Sequence, residues 1–182
     1  MAKAIPRQLP SRDEKYMGLA WFHASFSKDP NTQVGAQIVG HDNIPLGSGY
    51  NGPPRRMSDI EVIWDRPSKN KPESLSKYDL IVHAEINAID HSNNLPLNNA
   101  TLYVTALPCP SCMLEIVRKE ISRVVYFDFQ SSKNSTLQNI NWKEKTMKIA
   151  SMGKVEMEKF EGSLNWIMDW TFKLKDLKIF EM

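Results

Sequence analysis

The chain has 182 residues, 41% of them hydrophobic, which is enough for one packed domain and too few for two ordinary ones. This composition excludes a disordered protein, because so much apolar surface can offset the entropy lost on ordering. The formal net charge of +2 gives no strong attraction for phosphates, so no nucleic-acid polymer is expected as a partner. The sequence shows no membrane-spanning run and no secretory signal, which predicts a cytoplasmic protein without membrane attachment.

The first half of the chain predicts a helix followed by a β-hairpin. Residues 12–27 mix polar and apolar side chains at helical spacing, and Ser11 is available as the cap. The residues expected to face inward are Met17, Ala20, Trp21 and Ala24. The short apolar segments 34–40 and 46–51 flank a polar turn, which predicts the hairpin. Residues 52–78 contain four prolines and little periodicity, so they are interpreted as a long functional loop.

The second half alternates predicted helices with predicted strands. In chain order they are a helix beginning near His83, a strand at 101–105, a helix from Pro110, a strand at 122–129, a helix between 135 and 151, and a strand at 154–160. A C-terminal extension from about residue 163 has helical character. Strands interleaved with helices after a hairpin predict a mixed sheet covered on both faces, in a single α/β domain spanning residues 1–182.

Four side chains form a candidate zinc centre. The only two cysteines, Cys109 and Cys112, combine with His83 as ligands that suit zinc and leave the fourth tetrahedral position open for water. His83 and Cys109 each stand at a predicted helix start, where backbone N–H groups and the helix dipole stabilise a thiolate. Glu85 follows His83 by two residues, a spacing that disfavours binding the same metal, so we expect it to move protons as the catalytic group.

Each part of this pattern also has an ordinary explanation. A Cys-x-x-Cys pair occurs in redox motifs and in halves of structural zinc sites, and His-x-Glu arises by chance. A structural zinc would lack its fourth ligand, because the other histidines do not stand at ligand spacing; they are His23, His41 and His91. The combined pattern of His-Ala-Glu, a strand and Pro-Cys-Pro-Ser-Cys is much more specific and matches the signature of zinc deaminases.

Four blocks follow one another along the chain: SKDPNTQVGAQIVG, GYNGPPRRMSD, HAEINAI and TLYVTALPCPSC. They cover most of residues 27–128 and resemble the cytidine and deoxycytidylate deaminase superfamily, and more narrowly the deoxycytidylate (dCMP) deaminases. The resemblance implies a three-layer α/β/α sandwich on a five-stranded mixed sheet. It also implies zinc-dependent hydrolysis of dCMP to dUMP and ammonia, a step that supplies the precursor of dTMP.

Substrate contacts are expected at five positions. Asn51 matches the family's GYN position, where the asparagine faces the substrate sugar; a simple turn at Asn51-Gly52 is the ordinary alternative. A backbone N–H near Ala84 or Cys109 is expected to stabilise the negative charge that develops on the substrate during the reaction. Tyr126 is predicted to stack on the cytosine ring, with core packing as the alternative. Lys133 and Asn134 are predicted to hold the 5′-phosphate, unless they are ordinary solvated loop residues.

The resemblance further implies regulation and assembly. Family members are commonly homo-hexamers that dCTP activates and dTTP inhibits at a separate site around the GYNG motif. The matching residues here are Ser48, Gly49, Tyr50, Asn51 and Gly52, with Arg55 and Arg56 just beyond them. Backbone N–H groups freed by glycines and two guanidiniums suit a triphosphate, which would bring Mg²⁺ with it. A second zinc is not expected, because residues 71–82 contain neither histidine nor cysteine.

Two alternatives to dCMP deamination stay open. The fold and the zinc centre do not separate dCMP deaminases from cytosine, cytidine, riboflavin-pathway or tRNA adenosine deaminases. A zinc-stabilised nucleotide-binding module without catalysis is the alternative from a different class. The GYNGPP block favours a nucleotide substrate, and Glu85 favours catalysis, because a structural zinc site gains nothing evident from a carboxylate beside it.

Overall fold

The structure is a computed structural model that describes residues 8–58, 62–64, 75–127 and 137–169. Its helices are Arg12–Ala24 (α1), Lys77–Leu80 (α2), Ala84–Asp90 (α3), Pro110–Arg118 (α4) and Leu137–Met152 (α5). Its strands are Gly35–Val39 (β1), Pro45–Tyr50 (β2), Thr101–Val104 (β3), Arg123–Tyr126 (β4) and Glu156–Lys159 (β5). Residues 165–169 are helical as well. None of the described helices has the length and apolar character needed to cross a membrane.

The five strands form one mixed sheet in the order β2-β1-β3-β4-β5. β1 pairs antiparallel with both β2 and β3, whereas β3, β4 and β5 run parallel. The hairpin between β1 and β2 turns at Asn43, whose positive φ of 67° suits asparagine better than most residues. The predicted hairpin and the predicted five-stranded mixed sheet are therefore confirmed.

Helices cover both faces of this sheet. Successive residues of a strand point to opposite faces, so Leu102 and Val104 pack with residues of α3, α4 and α5, while Tyr103 between them packs with α1. All positions of β1 and β3 are buried as a result. A sheet buried on both faces is the arrangement that α/β/α layering requires, and the predicted sandwich is confirmed.

The first helix is set by its N-terminal cap. The Ser11 hydroxyl accepts a hydrogen bond from the Glu14 backbone N–H, and the Glu14 carboxylate accepts one from the Ser11 N–H. The helix ends at Ala24 rather than near Ser27 as the spacing predicted, because the next N–H groups bond to carbonyls three residues back. The predicted inward residues Met17, Ala20 and Ala24 are buried, and Trp21 is half-buried.

Helix α3 lies unusually close to β2. A Cβ atom on Gly49 would come within 2.5 Å of the Ala88 backbone nitrogen and 2.6 Å of the Ala84 carbonyl oxygen. Only glycine permits this approach without a shift of the helix. Beyond β2, Gly52 and Val82 exchange two backbone hydrogen bonds at 3.1 and 2.9 Å, which fixes the segment leading into α3.

Arg123, at the start of β4, joins α1 to the sheet. Its guanidinium donates to both carboxylate oxygens of Asp13, at 2.9 and 2.8 Å, and also to Glu158. The Tyr103 hydroxyl donates to the same Asp13 carboxylate at 2.7 Å. The Arg123 hydrogen bonds hold the pKa of Asp13 below its ordinary value of 3.8. A lowered pKa in the folded state stabilises the fold above 3.8, and this stabilisation is lost as the pH falls through the folded-state pKa.

Replacing Arg123 by glutamine should lower the free energy of unfolding by about 2 kcal/mol near neutral pH, because hydrogen bonds between charged groups are lost. The difference from the unaltered chain should shrink as the pH falls below 3.8 and through the lowered pKa of Asp13 in the folded chain, where its carboxylate becomes protonated. Urea unfolding followed by circular dichroism at several pH values measures both effects. Arg118→Gln is the control, because its exposed pair with Glu115 contributes at most about 1 kcal/mol. Equal losses in the two variants would contradict the assignment.

Candidate metal centre and active-site cavity

Two helix N-termini supply the metal-binding side chains: His83 and Cys109 are N-caps, and Cys112 lies in the first turn of α4. His83 precedes α3 with an extended backbone (φ −73°, ψ 154°), and Cys109 precedes α4 in nearly the same conformation (φ −74°, ψ 163°). Pro110 occupies the first turn of α4, where its missing N–H costs no helical hydrogen bond. The Cys112 N–H donates to the Cys109 sulfur at 3.3 Å. The predicted helix starts at His83 and Cys109 are thus confirmed.

The three predicted ligands come together in space. The His83 Nδ1 atom lies 3.2 Å from the Cys112 sulfur and 3.4 Å from the Cys109 sulfur. All three ligand atoms lie within 4.8 Å of one another. Ligands bound tetrahedrally to zinc at their usual bond lengths stand about 3.5 Å apart, so the trio fits Zn²⁺ with Nδ1 as the imidazole ligand. Across the described part of the chain no other such group was found, and Mg²⁺ receives no support.

Hydrogen bonds among the three side chains favour a negative charge on Cys109. Its sulfur interacts with the Cys112 thiol, the His83 ring and the Ser111 hydroxyl, and these bonds lower the pKa of Cys109 to about 3 against the opposing effect of burial. The same contact with Cys109 raises the pKa of Cys112, and that of His83 is raised as well. Metal binding to cysteine and histidine displaces protons, so a dication would take the place of the shared protons.

Glu85 lies beside the trio without belonging to it. Its side chain is only 4% exposed, and this burial raises the pKa of its carboxyl group. His83 and Glu85 line the same cavity. Residues two apart in a regular helix face different sides, but His83 precedes the helix with an extended backbone and is not bound by that geometry. The group of mutually close ligand atoms does not include Glu85, whose carboxyl group instead interacts with the Cys112 side chain and with the charge of His83.

A cavity of about 420 Å³ opens at this centre. Five predicted site residues line it: Asn51, His83, Ala84, Glu85 and Cys109. Ala84 is the first residue of α3, so its backbone N–H is among the first four that have no partner within a helix. The cavity therefore brings together two of the three metal-binding side chains, a buried carboxylate and a backbone donor at the start of a helix.

Asn51 forms part of the cavity wall and also holds the neighbouring loop. Its side-chain oxygen accepts from the Val34 N–H at 2.8 Å, and its side-chain nitrogen donates to the Thr32 carbonyl at 3.0 Å. An asparagine amide has two N–H donors and two oxygen lone pairs, so one of each is left for a ligand. The simple turn is not observed at this position, because Gly52 pairs with Val82 as an isolated bridge.

One predicted substrate contact, Tyr126, is absent from the cavity lining, and two others fall outside the described residues. Tyr126 ends β4 inside the core, is 7% exposed and packs in the cluster between the sheet and α3, α4 and α5. Since Tyr126 does not line the cavity, the geometry favours core packing over stacking on a substrate. Lys133 and Asn134, predicted to hold the phosphate, lie outside the described residues.

A buried ion pair in the cavity wall was not predicted. The Lys77 ammonium donates to the Asp29 carboxylate at 2.7 Å, and the two side chains are 6% and 2% exposed. The other oxygen of Asp29 accepts from the backbone N–H groups of Asn31 and Thr32. The partners are 48 residues apart, so no local spacing indicates the pair. Trp142 of α5, also unpredicted, completes the lining on another side.

A second cavity of about 310 Å³ lies at the predicted effector region. Of the predicted residues, Tyr50, Gly52 and Arg55 line it, and the sequence did not indicate Phe26, Lys28, Asn87 or His91. The ring of His91 lies 2.8 Å from the Ser48 carbonyl oxygen through Nδ1 and 3.3 Å from the Arg55 guanidinium through Nε2.

The Gly52 N–H is not free for a triphosphate as expected, whereas the role of the Gly49 N–H stays a prediction. The Gly52 N–H is already bonded to Val82, and Gly49 stands inside β2 against α3 because the packing leaves no room for a side chain. Ser48 also lies within β2, and Asn51 faces the first cavity. Arg56 is exposed and does not line the second cavity.

Comparison with known proteins agrees with this geometry. Deoxycytidylate deaminases of Pongo abelii and Homo sapiens are 41% and 40% identical to the chain over 113 residues, which is 62% of this chain and 62% of each relative. A crystal structure of dCMP deaminase from the cyanophage S-TIM5, in complex with dCMP and dUMP, superposes with a TM-score of 0.62 at 22% identity. The superposition covers 85% of this chain and 100% of that one, which shows a shared fold. Residues 10–128 match the family described as the cytidine and deoxycytidylate deaminase zinc-binding region, and the chain belongs to that family.

Proposed function

We propose that this chain hydrolyses dCMP to dUMP and ammonia. The observation that carries the proposal is the zinc-fitting trio, of which His83 and Cys109 line the same cavity as the buried Glu85. The choice of dCMP rests on the relatives named deoxycytidylate deaminase, which share about two-fifths of the aligned residues. The chain spans 62% of the length of these two relatives. In metabolism such a reaction would supply the precursor of dTMP.

The residues of the cavity are chemically sufficient for this reaction. Zinc bound by the trio would supply an activated water near neutral pH. Glu85 takes a proton from the attacking water, delivers one to N3 of the cytosine ring, and later assists departure of the amino group from C4. The Ala84 N–H, at the start of α3, is a donor for the charge that develops on the substrate. Asn51 offers its remaining amide groups to the sugar, and phosphate binding by Lys133 and Asn134 stays a prediction.

The purified zinc-loaded protein should deaminate dCMP in preference to CMP, dCTP, deoxycytidine and cytosine. Loss of cytosine absorbance measures each reaction. If the protein turned over cytosine or cytidine and not dCMP, the proposed substrate would be wrong, and the activity would be that of another superfamily member. Nucleotide binding without any turnover would instead support the non-catalytic zinc module.

Glu85→Gln should retain zinc and lose activity by at least about a hundredfold, because proton transfer is removed while the ligand trio is untouched. Zinc content by atomic absorption and kcat for dCMP are the two measurements. Cys112→Ser is the contrasting variant and should lose both metal and activity. If Glu85→Gln lost its zinc, Glu85 would have to be assigned to the ligand set.

We also propose that the second cavity binds a triphosphate effector, dCTP or dTTP. Phe26 and Tyr50 bring two aromatic rings together there, with centroids 6.0 Å apart, and Lys28 and Arg55 add positive charge. Helix α3 connects the two cavities, because Glu85 faces the first and Asn87 lines the second. The Asn87 amide donates to the Tyr50 carbonyl at 2.8 Å, which ties the effector wall to the catalytic helix.

The two triphosphates would act in opposite directions if each bound a different conformation more tightly. Assembly as a homo-oligomer of six subunits, Mg²⁺ accompanying the triphosphate, and a cytoplasmic location stay predictions.

Turnover of dCMP should rise with dCTP and fall with dTTP. Arg55→Gln should raise the dCTP concentration giving half-maximal activation about tenfold, because a charged contact to phosphate is lost, without changing turnover in the absence of effector. Arg56→Gln is the matched control, since Arg56 is exposed and does not line the cavity. If both variants and the unaltered protein responded equally to dCTP, this cavity would not be the effector site.

A further inference from the structure

Trp142 is an aromatic residue that lines the cavity and lies outside the described hydrophobic core clusters. It belongs to α5, which packs against α4, the helix that carries Cys112. The indole lines the cavity that contains His83 and Glu85, and its side chain is 36% exposed. An exposed aromatic surface beside a polar site is a typical feature of small-molecule pockets.

The orientation of α5 is fixed one turn further along. Thr146 and Ala150 follow Trp142 by four and eight residues, so all three lie on one face of the helix. Thr146 and Ala150 are 0% and 1% exposed. The Thr146 hydroxyl donates to the carbonyl of Pro108 at 3.1 Å, directly before the ligand Cys109. This bond holds the face that carries Trp142 against the metal-binding turn.

Core packing does not account for Trp142. Ala150 belongs to the main core cluster, but Trp142, two turns earlier on the same face, belongs to neither of the two core clusters of the described residues. The inward face of α5 therefore runs past the core and ends at the cavity. The indole is left with apolar surface directed to the space where a substrate would lie.

We propose that Trp142 contacts the substrate, with its indole packed on the nucleoside part of dCMP. This inference deepens the proposed function and rests on it for the identity of the ligand. A pyrimidine ring and an indole are both flat and apolar on their faces, and such contacts strengthen binding with little dependence on hydrogen bonding. Trp142 thus takes the place at the cavity that sequence reasoning gave to Tyr126.

Trp142→Ala should raise KM for dCMP about tenfold or more, the usual effect of removing one base–aromatic contact. Trp142→Phe should retain most of the affinity, because a smaller aromatic face remains. Met147→Ala is the matched control: Met147 is a 37% exposed apolar residue of the same helix that does not line the cavity. Zinc content and melting temperature should be the same in all variants.

Binding is also measured without turnover, by titrating dUMP and following tryptophan fluorescence. The unaltered protein should show a change that Trp142→Phe loses, although four other tryptophans remain in that variant. An unchanged KM in Trp142→Ala, or a dUMP-dependent signal as large in Trp142→Phe as in the unaltered protein, overturns the inference and leaves the proposed function standing. Failure of the unaltered protein to deaminate dCMP overturns the proposed function, and the dUMP titration still decides the role of Trp142.

Discussion

The metal centre depends on helices α3 and α4 beginning close together in space. A tetrahedral metal with one histidine and two cysteines needs its ligands within a few ångströms. Here two helix N-termini supply them, and their N-cap residues His83 and Cys109 are 26 residues apart. On one side, α3 is held by its close contact with Gly49 and by the bridge between Gly52 and Val82. On the other, α4 follows the parallel strand β3, and Thr146 anchors the turn before it. These anchors are packing contacts and hydrogen bonds within the protein rather than metal contacts, so the fold itself positions the ligands.

The same constraint gives α3 its place between the two cavities. A seven-residue helix has little freedom to bend, and its N-terminal end and its middle face different spaces. Because β2 touches this helix along Gly47 and Gly49, a ligand that moved the end of β2 would have to move the helix as well. Proteins transmit such shifts through closely packed elements, since dense interiors do not absorb displacement gradually.

Local signals made most of the fold and the metal trio predictable. Caps, a first-turn proline, strand alternation and the Cys-x-x-Cys spacing act within a few residues, so the order of elements and the ligands His83, Cys109 and Cys112 follow from the sequence. Tyr126 shows the limit, because an aromatic in an apolar strand looks the same whether it faces a cavity or the core. Trp142 lies in a helix of mixed polarity, and only the packing of α5 against α4 brings it to the site. Gly49 suggested phosphate binding, whereas the packing of β2 against the neighbouring helix already requires a glycine at this position.

The buried pair of Lys77 and Asp29 has a consequence for how this cavity can change in evolution. The Lys77 ammonium pairs with one carboxylate oxygen of Asp29, and the other oxygen accepts hydrogen bonds from the backbone N–H groups of Asn31 and Thr32. Loss of either partner alone leaves an uncompensated charge on a side chain that is at most 6% exposed, at a cost of about 3–5 kcal/mol. Joint replacement by well-packed neutral residues is often tolerated. The two positions are therefore expected to vary together among related chains, although one lies before the sheet and the other just before the metal ligand.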